Sequence, residues 1–152
     1  MGAEQRLVDL GLKLPRPNVP IANYVPAVIT GNLLFVSGHG PHRDVQAKTS
    51  GKLGRELTVE EGYQTARSAG LNCLATIKAA LGNLDRVKRV VKLVGMVNCT
   101  EDFKDTPKVI NGCSDLLVEV FGEAGKHARS AVGMQALPND MPVEIEMILE
   151  IE

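Results

Sequence analysis

The chain reads as an α+β protein: a sheet in the order β-β-α-β-α-β-β with two helices on one face, and room for a further short strand near the N-terminus. Three observations predict this. Residues 143–151 alternate apolar and mostly acidic side chains, the period of a strand. Two longer stretches, 58–82 and 106–122, carry apolar residues at helical spacing between recognisable start and stop signals. Near the N-terminal end, two apolar runs flank Gly31-Asn32, residues that accept the positive φ of a tight hairpin turn.

The elements follow in order. The run YVPAVITGNLLFVSG gives strands near Val25–Ile29 and Leu33–Ser37. Thr58 and Glu61 form a Thr-x-x-Glu capping pattern, in which each side chain satisfies the other's backbone N–H. Tyr63, Ala66, Gly70, Leu74, Ile77 and Leu81 then make an apolar helical face, and Gly82 is the stop. Arg86 to Cys99 is dense in Val, Leu and Met, as expected of a strand covered on both faces. Thr106 is the expected cap of the second helix, with Pro107 at its first position, where a missing N–H costs nothing. Val109, Ile110, Cys113, Leu116, Leu117, Val120 and Phe121 form its buried stripe, and Gly122 ends it. A strand over Ala128–Ala136, a Leu-Pro-Asn-Asp turn and the strand Val143–Ile151 complete the chain. Lys13–Asn23 and Gly38–Glu56 are the expected loops. Two helices cover one face of such a sheet, which leaves the other for water or another subunit.

At 152 residues and 44% hydrophobic content, one domain spanning residues 1–152 can build its own core. That core is aliphatic, because aromatics make up 3% and Trp is absent. The same scarcity removes the stacking platforms that single-stranded nucleic acids use. A net charge of −1 offers no broad attraction to phosphate backbones. The one basic cluster, Arg86, Lys88, Arg89 and Lys92, reads as the wet side of a strand. Cys73, Cys99 and Cys113 have neither metal-ligand nor disulfide-framework spacing and read as free, small, buried apolar residues. The opening MGAEQRLVDLG lacks the apolar run of a secretory leader, and no stretch approaches the ~18 apolar residues of a membrane span. The expectation is a cytoplasmic protein with neither membrane nor nucleic acid as partner.

Several segments together resemble the Rid/YjgF family of reactive-intermediate deaminases. The most specific is Ala128–Glu146, which fits ARS-x-V-x-x-x-x-LP-x-D-x-x-x-E-I-E. Supporting stretches are Val36–Gly38, EEGYQTARSAGLNCLATIKAALGNLDRV, and VNCTEDF at Val97–Phe103; the likeness runs from about Asn18 to the end. It implies the chorismate-mutase-like (bacillar type) α+β fold and a homotrimer with a cleft between subunits. It also implies hydrolysis of 2-imino or enamine acids to 2-keto acids and ammonia, in the manner of a 2-iminobutanoate/2-iminopropanoate deaminase. No cofactor or metal is implied, because the imine is already reactive. By residue-to-residue match, Arg129 holds the substrate carboxylate and Glu144 positions the hydrolytic water, while Tyr24, Ser37 and Asn111 line the pocket. The chain departs from the family pattern at Ala131, where many deaminating members have cysteine, and at His39, where glutamine is common. Its Gly38–Glu56 loop is also longer than in the commonest members.

The residue types suit these roles. A guanidinium pairs bidentately with a carboxylate, and a carboxylate can orient water and move protons. The plainer readings stand beside them. Arg129 could be a salt-bridge arginine, Glu144 one of four glutamates on a polar strand face, and Tyr24 a core tyrosine; Ser37 and Asn111 could serve local turns. His39, His42 and His127 lack the further ligands of a zinc site; His39 is a candidate proton carrier or else a solvated loop residue. Two functional classes remain: a deaminase, or a small-molecule carboxylate binding or sensing protein that uses the same cleft without turnover. RNA cleavage, attached to some members' names as endoribonuclease L-PSP, fits poorly with the acidic pI near 6.3.

Overall fold

The computed structural model describes residues 1–43 and 47–152. Its strands are β1 (Ala27–Thr30), β2 (Leu33–His39), β3 (Val87–Asn98), β4 (Ala128–Met134) and β5 (Val143–Ile151). Its helices are α1 (Ala3–Asp9), α2 (Val59–Leu81) and α3 (Thr106–Phe121). The strands form one mixed sheet in the order β1-β2-β5-β3-β4. All neighbours are antiparallel except β3 and β4, which run parallel because α3 crosses between them.

The expected α+β order is present, and no strand precedes β1 among the described residues; the N-terminal segment is instead a helix. Seven residues are too few to hold a helix alone, so its stability is tertiary. Ala3 and Leu7, one turn apart, are buried in the common core. Glu4 pairs with Lys78 at 2.8 Å and accepts the Leu84 N–H at 2.9 Å. Gly11, at φ 65°, follows it in the left-handed conformation.

The signals at α2 act as read. Thr58 and Glu61 form both halves of the capping box, and Gly82 closes the helix at φ 80°. On α3 the start falls one residue earlier than expected: Asp105 is the cap position and Thr106 is already helical. The Thr106 hydroxyl does not cap; it donates to the Ala131 carbonyl at 3.0 Å and ties the helix start to β4. The helices pack closely because Gly112 has no side chain; a Cβ there would collide with the Tyr63 carbonyl.

The core fills the space between the helices and one sheet face. Leu93 and Val97 of β3 and Ile145, Met147 and Leu149 of β5 point into it with Leu74, Ile77, Ile110, Leu116 and Leu117. Burying each such side chain contributes about 1.5–3 kcal/mol. One flank of α2 is buried yet polar: Thr65, Ser68, Asn72 and Thr76 recur at helical spacing. They bind the segment after β2. Thr76 meets His39, Asn72 Nδ2 donates to the Gly40 carbonyl at 3.2 Å, Ser68 Oγ accepts the His42 N–H at 2.8 Å, and Thr65 Oγ1 donates to the Lys48 carbonyl at 3.1 Å. The expected Gly38–Glu56 loop is thus partly strand at its start and laced to α2; residues 44–46 of it lie outside the described residues.

The other sheet face is open. Val28 and Phe35, which stand opposite each other on β1 and β2, are 51% and 40% exposed. They border a shallow cavity of about 390 Å³ with Lys92, Val94, Glu146 and Ile148. The basic cluster does not share one strand face. Lys88 and Arg89 are exposed and Lys92 is half-buried on the open side. Arg86 donates to the Leu81 and Glu152 carbonyls at 3.0 and 3.1 Å, closing the end of α2.

Candidate functional site

Strand alternation decides where the candidate residues point. Arg129 stands opposite Leu93, and Leu93 opposite Met147, so its side chain leaves the helix-facing side of the sheet. Glu144 stands opposite Met96, and Met96 opposite Val132, so it leaves the open side. Within one subunit the two are therefore on opposite faces. The structure gathers the candidates into two groups.

The first group lies around Gly38, which adjoins Glu144. The end of β2 bends at a register shift between Val36 and His39, bringing Gly38 against the Glu144 carboxylate. Any side chain at 38 would collide with that carboxylate. Tyr24, Ser37, Gly38 and His39 share a small crevice with Asn18, Pro20 and Pro26. Tyr24 is 53% exposed, which rules out the core-tyrosine role. The Ser37 hydroxyl donates to the Val25 carbonyl at 2.7 Å, a local contact that pins the hairpin. Glu144 is half-buried, and this desolvation, with the charge of Glu146 adding to it, raises its pKa above the usual glutamate value. Glu146, two residues on, is exposed. Burial therefore separates two acids that sequence alone leaves equivalent.

The second group surrounds Arg129, between β4 and α3. Its Nη1 donates to Asn111 Oδ1 at 2.7 Å and to Ser114 Oγ at 3.1 Å. The Ser114 hydroxyl donates onward to His127 Nε2 at 2.9 Å, and His127 Nδ1–H donates to the Gly125 carbonyl at 2.6 Å. A carbonyl only accepts, which fixes this direction and the tautomer. The chain of bonds holds one edge of the guanidinium. Among the described residues Nε and Nη2 have no partner, so the other edge is available as a fork. Ala131 lies on the same side of β4, opposite Gly95. Sequence reasoning missed Ser114 and underused His127; the signal was their chemistry near Arg129, but only folding places them beside it.

His39 needs correction. It lines the crevice of Tyr24 and Ser37 but is buried rather than a solvated loop residue, with its ring directed to α2. It is 3% exposed, with Nδ1–H donating to the Ser37 carbonyl at 2.5 Å and Nε2 accepting from Thr76 Oγ1 at 2.7 Å. Burial lowers its pKa, with the Ser37 bond opposing the shift. The folded state thus binds this proton less readily than the unfolded chain. The stability it contributes is present above the unfolded value of 6.5 and is lost as pH falls through the lower folded value. His39→Gln is expected to flatten the loss of melting temperature on acidification below about pH 6.5; an unchanged slope in thermal melts would count against this.

Cys73 and Cys113 are buried, and burial pushes the Cys113 thiol up to about 12, whereas Cys99 is only half-buried. Among the described residues no three His, Cys, Asp or Glu side chains converge as a metal would need, and no helix is long and apolar enough to cross a membrane.

Comparison with known proteins agrees with this architecture. Residues 4–148 match the family model described as "YjgF/chorismate_mutase-like, putative endoribonuclease". The chain is 48% identical over 146 residues to Protein TCP17 of Trypanosoma cruzi, covering 95% of this chain and 91% of that one. It is 28% identical over 141 residues to a 2-iminobutanoate/2-iminopropanoate deaminase of Dermatophagoides farinae, covering 93% and 95%. The crystal structure of Atu1372 from Agrobacterium tumefaciens, a protein of unknown function, superposes with a TM-score of 0.90 at 44% identity, covering 99% of this chain and 92% of that one. With nearly its whole length matched, the chain belongs to the YjgF/chorismate-mutase-like family, the Rid/YjgF family that its motifs resemble.

Proposed function

We propose that the protein is a deaminase that hydrolyses 2-imino acids, and their enamine tautomers, to 2-keto acids and ammonia. The observation that carries this reading is the pair of half-sites on opposite sheet faces. One offers a forked cation with a free edge, and the other a half-buried carboxylate of raised pKa against Gly38, whose crevice also holds an exposed tyrosine. Neither is complete alone, and a neighbouring subunit can bring the two together across a cleft. The distant relative with imine deaminase activity in its name agrees with the reaction class.

In the proposed reaction Arg129 grips the substrate carboxylate and fixes the C=N carbon in position. Restricting the reactants in this way contributes several kcal/mol, and about 7 or more in favourable cases. Glu144 of the adjoining subunit takes a proton from water as its oxygen bonds to the imine carbon. The same proton is then returned to nitrogen. Glu144 then takes the hydroxyl proton of the resulting carbinolamine and passes it to nitrogen, so that the C–N bond breaks as the carbonyl forms and ammonia leaves. A raised pKa suits a group that both accepts and returns a proton near neutrality.

The assembly is a homotrimer that covers the open face bearing Val28 and Phe35. Light scattering at micromolar concentration is expected to give three times the mass of the chain, and a monomer would overturn the shared-site reading. The activity test couples a serine or threonine dehydratase, which releases the imine, to detection of keto acid in competition with semicarbazide. Faster keto acid appearance supports a deaminase. No acceleration, together with 2-ketobutyrate binding that depends on Arg129, would make this a carboxylate-binding or sensing protein instead.

A further inference from the structure

The buried polar row of α2 leaves one group unmatched. Asn72 is 2% exposed, and among the described residues its Oδ1 has no hydrogen-bond partner. Turning the amide over is no remedy. Nδ2 donates to the Gly40 carbonyl at 3.2 Å, and a reversed amide would set two acceptors against each other. Burial without a partner is unfavourable for such an oxygen, so the position calls for a donor. Asn72 lines a cavity of about 550 Å³, within the size range of small-molecule sites. It is the buried residue of that lining, while Asn18, Arg43, Thr49, Ser50 and Asn139 are exposed and stand at the mouth. Backbone contacts hold the mouth in shape. Asn139 and Asp140 are kept at φ 54° and 56°, a conformation that residues with a Cβ seldom adopt. The Gly51 N–H, next to Ser50, donates to the Asp140 carbonyl at 2.9 Å and braces one side of the mouth against the other. Among the described residues no acid lines the cavity, and neither Arg129 nor Glu144 does.

We propose that this cavity is a second ligand site, separate from the imine chemistry, and that it takes a small soluble polyol phosphate. A hydroxyl of the ligand donates to Asn72 Oδ1 at the buried end, and the phosphate meets Arg43, Thr49 and Ser50 at the mouth. The lining selects this class at both ends. A guanidinium and two hydroxyls are donors, and a phosphate monoester presents several strong acceptor oxygens to receive them. Water still reaches the mouth, so the phosphate keeps part of its hydration. The buried end offers an acceptor with no carboxylate beside it, which suits a neutral hydroxyl better than an ammonium group. An apolar ligand would leave Asn72 Oδ1 unpaired and cover the exposed polar rim without replacing its bonds to water.

The test is calorimetric titration of the full chain with glycerol 3-phosphate, propyl phosphate and inorganic phosphate. Propyl phosphate has nearly the same length and charge but no free hydroxyl, so the comparison removes the donor to Asn72 without altering the protein. Glycerol 3-phosphate is expected to bind tenfold or more tightly than either of the others. Arg43→Gln, at an exposed position where folding is not at stake, should weaken it by tenfold or more and bring the three ligands closer together. Arg129→Lys should leave it unchanged, because that residue does not line the cavity. Asn72→Leu should abolish the preference for glycerol 3-phosphate over propyl phosphate; if that variant fails to fold, the ligand comparison in the wild type carries the same information. No binding of glycerol 3-phosphate at millimolar concentration, or equal affinity for propyl phosphate, overturns the proposal. So does affinity unmoved by Arg43→Gln, or affinity lost in Arg129→Lys, which would place the anion at the carboxylate clamp instead. None of these outcomes bears on whether the protein hydrolyses imines.

Discussion

Glu144→Gln is expected to lower imine turnover by about 10²-fold or more, the usual scale for a positioned acid–base group. The substitution keeps size and one acceptor oxygen but removes the charge and the ability to accept a proton. Binding of 2-ketobutyrate should hold or tighten, because a negative neighbour of the carboxylate is gone. Glu146→Gln is the control: it shares the strand face but is exposed, and it should behave as wild type. The pH dependence follows from the raised pKa of Glu144. Turnover should fall as pH drops through an inflection above 4.5, because the protonated acid cannot take a proton from water. The stability effect has the opposite sense. A carboxyl group with a raised folded pKa binds protons more readily folded than unfolded, so its stabilising contribution is present below the unfolded value and is lost as pH rises through the folded one. Glu144→Gln should therefore melt at or above the wild-type temperature at neutral pH, with the difference shrinking in acid. Full activity in Glu144→Gln would remove this strand from the chemistry.

Arg129→Lys is expected to weaken calorimetric binding of a small 2-keto acid by tenfold or more. Losing a charge-assisted hydrogen bond costs about 1.5 kcal/mol or more, and lysine offers a point charge where the site is built for a planar fork. The guanidinium is also held in register by Asn111 and Ser114, and a flexible ammonium cannot make those bonds and a bidentate grip at once. Folding should persist, since Arg129 lies half-buried on the edge strand. A change in affinity below about threefold would show that Arg129 is not the clamp. Ser114→Ala should act in the same direction and more weakly, because it removes one support and leaves the fork.

What the chain determines locally was legible in it. The capping box and glycine stop of α2, the hairpin at Gly31-Asn32 and the alternation of Val143–Ile151 each depend on neighbours within a few residues, where propensity and periodicity act. The likeness of Ala128–Glu146 to one family likewise singled out Arg129 and Glu144. Tertiary structure decided the rest. The helix Ala3–Asp9 has too few residues to declare itself and exists because Ala3 and Leu7 find the core. His39 looked like a loop residue because nothing nearby in sequence shows that Thr76, 37 positions away, will receive its ring. The separation of Arg129 and Glu144 onto opposite faces follows from strand order and register, in which β5 pairs with β3 and β4 lies parallel at the edge. Register is a long-range property: a one-residue slip would turn either side chain to the other face, and only the packed core chooses between the alternatives.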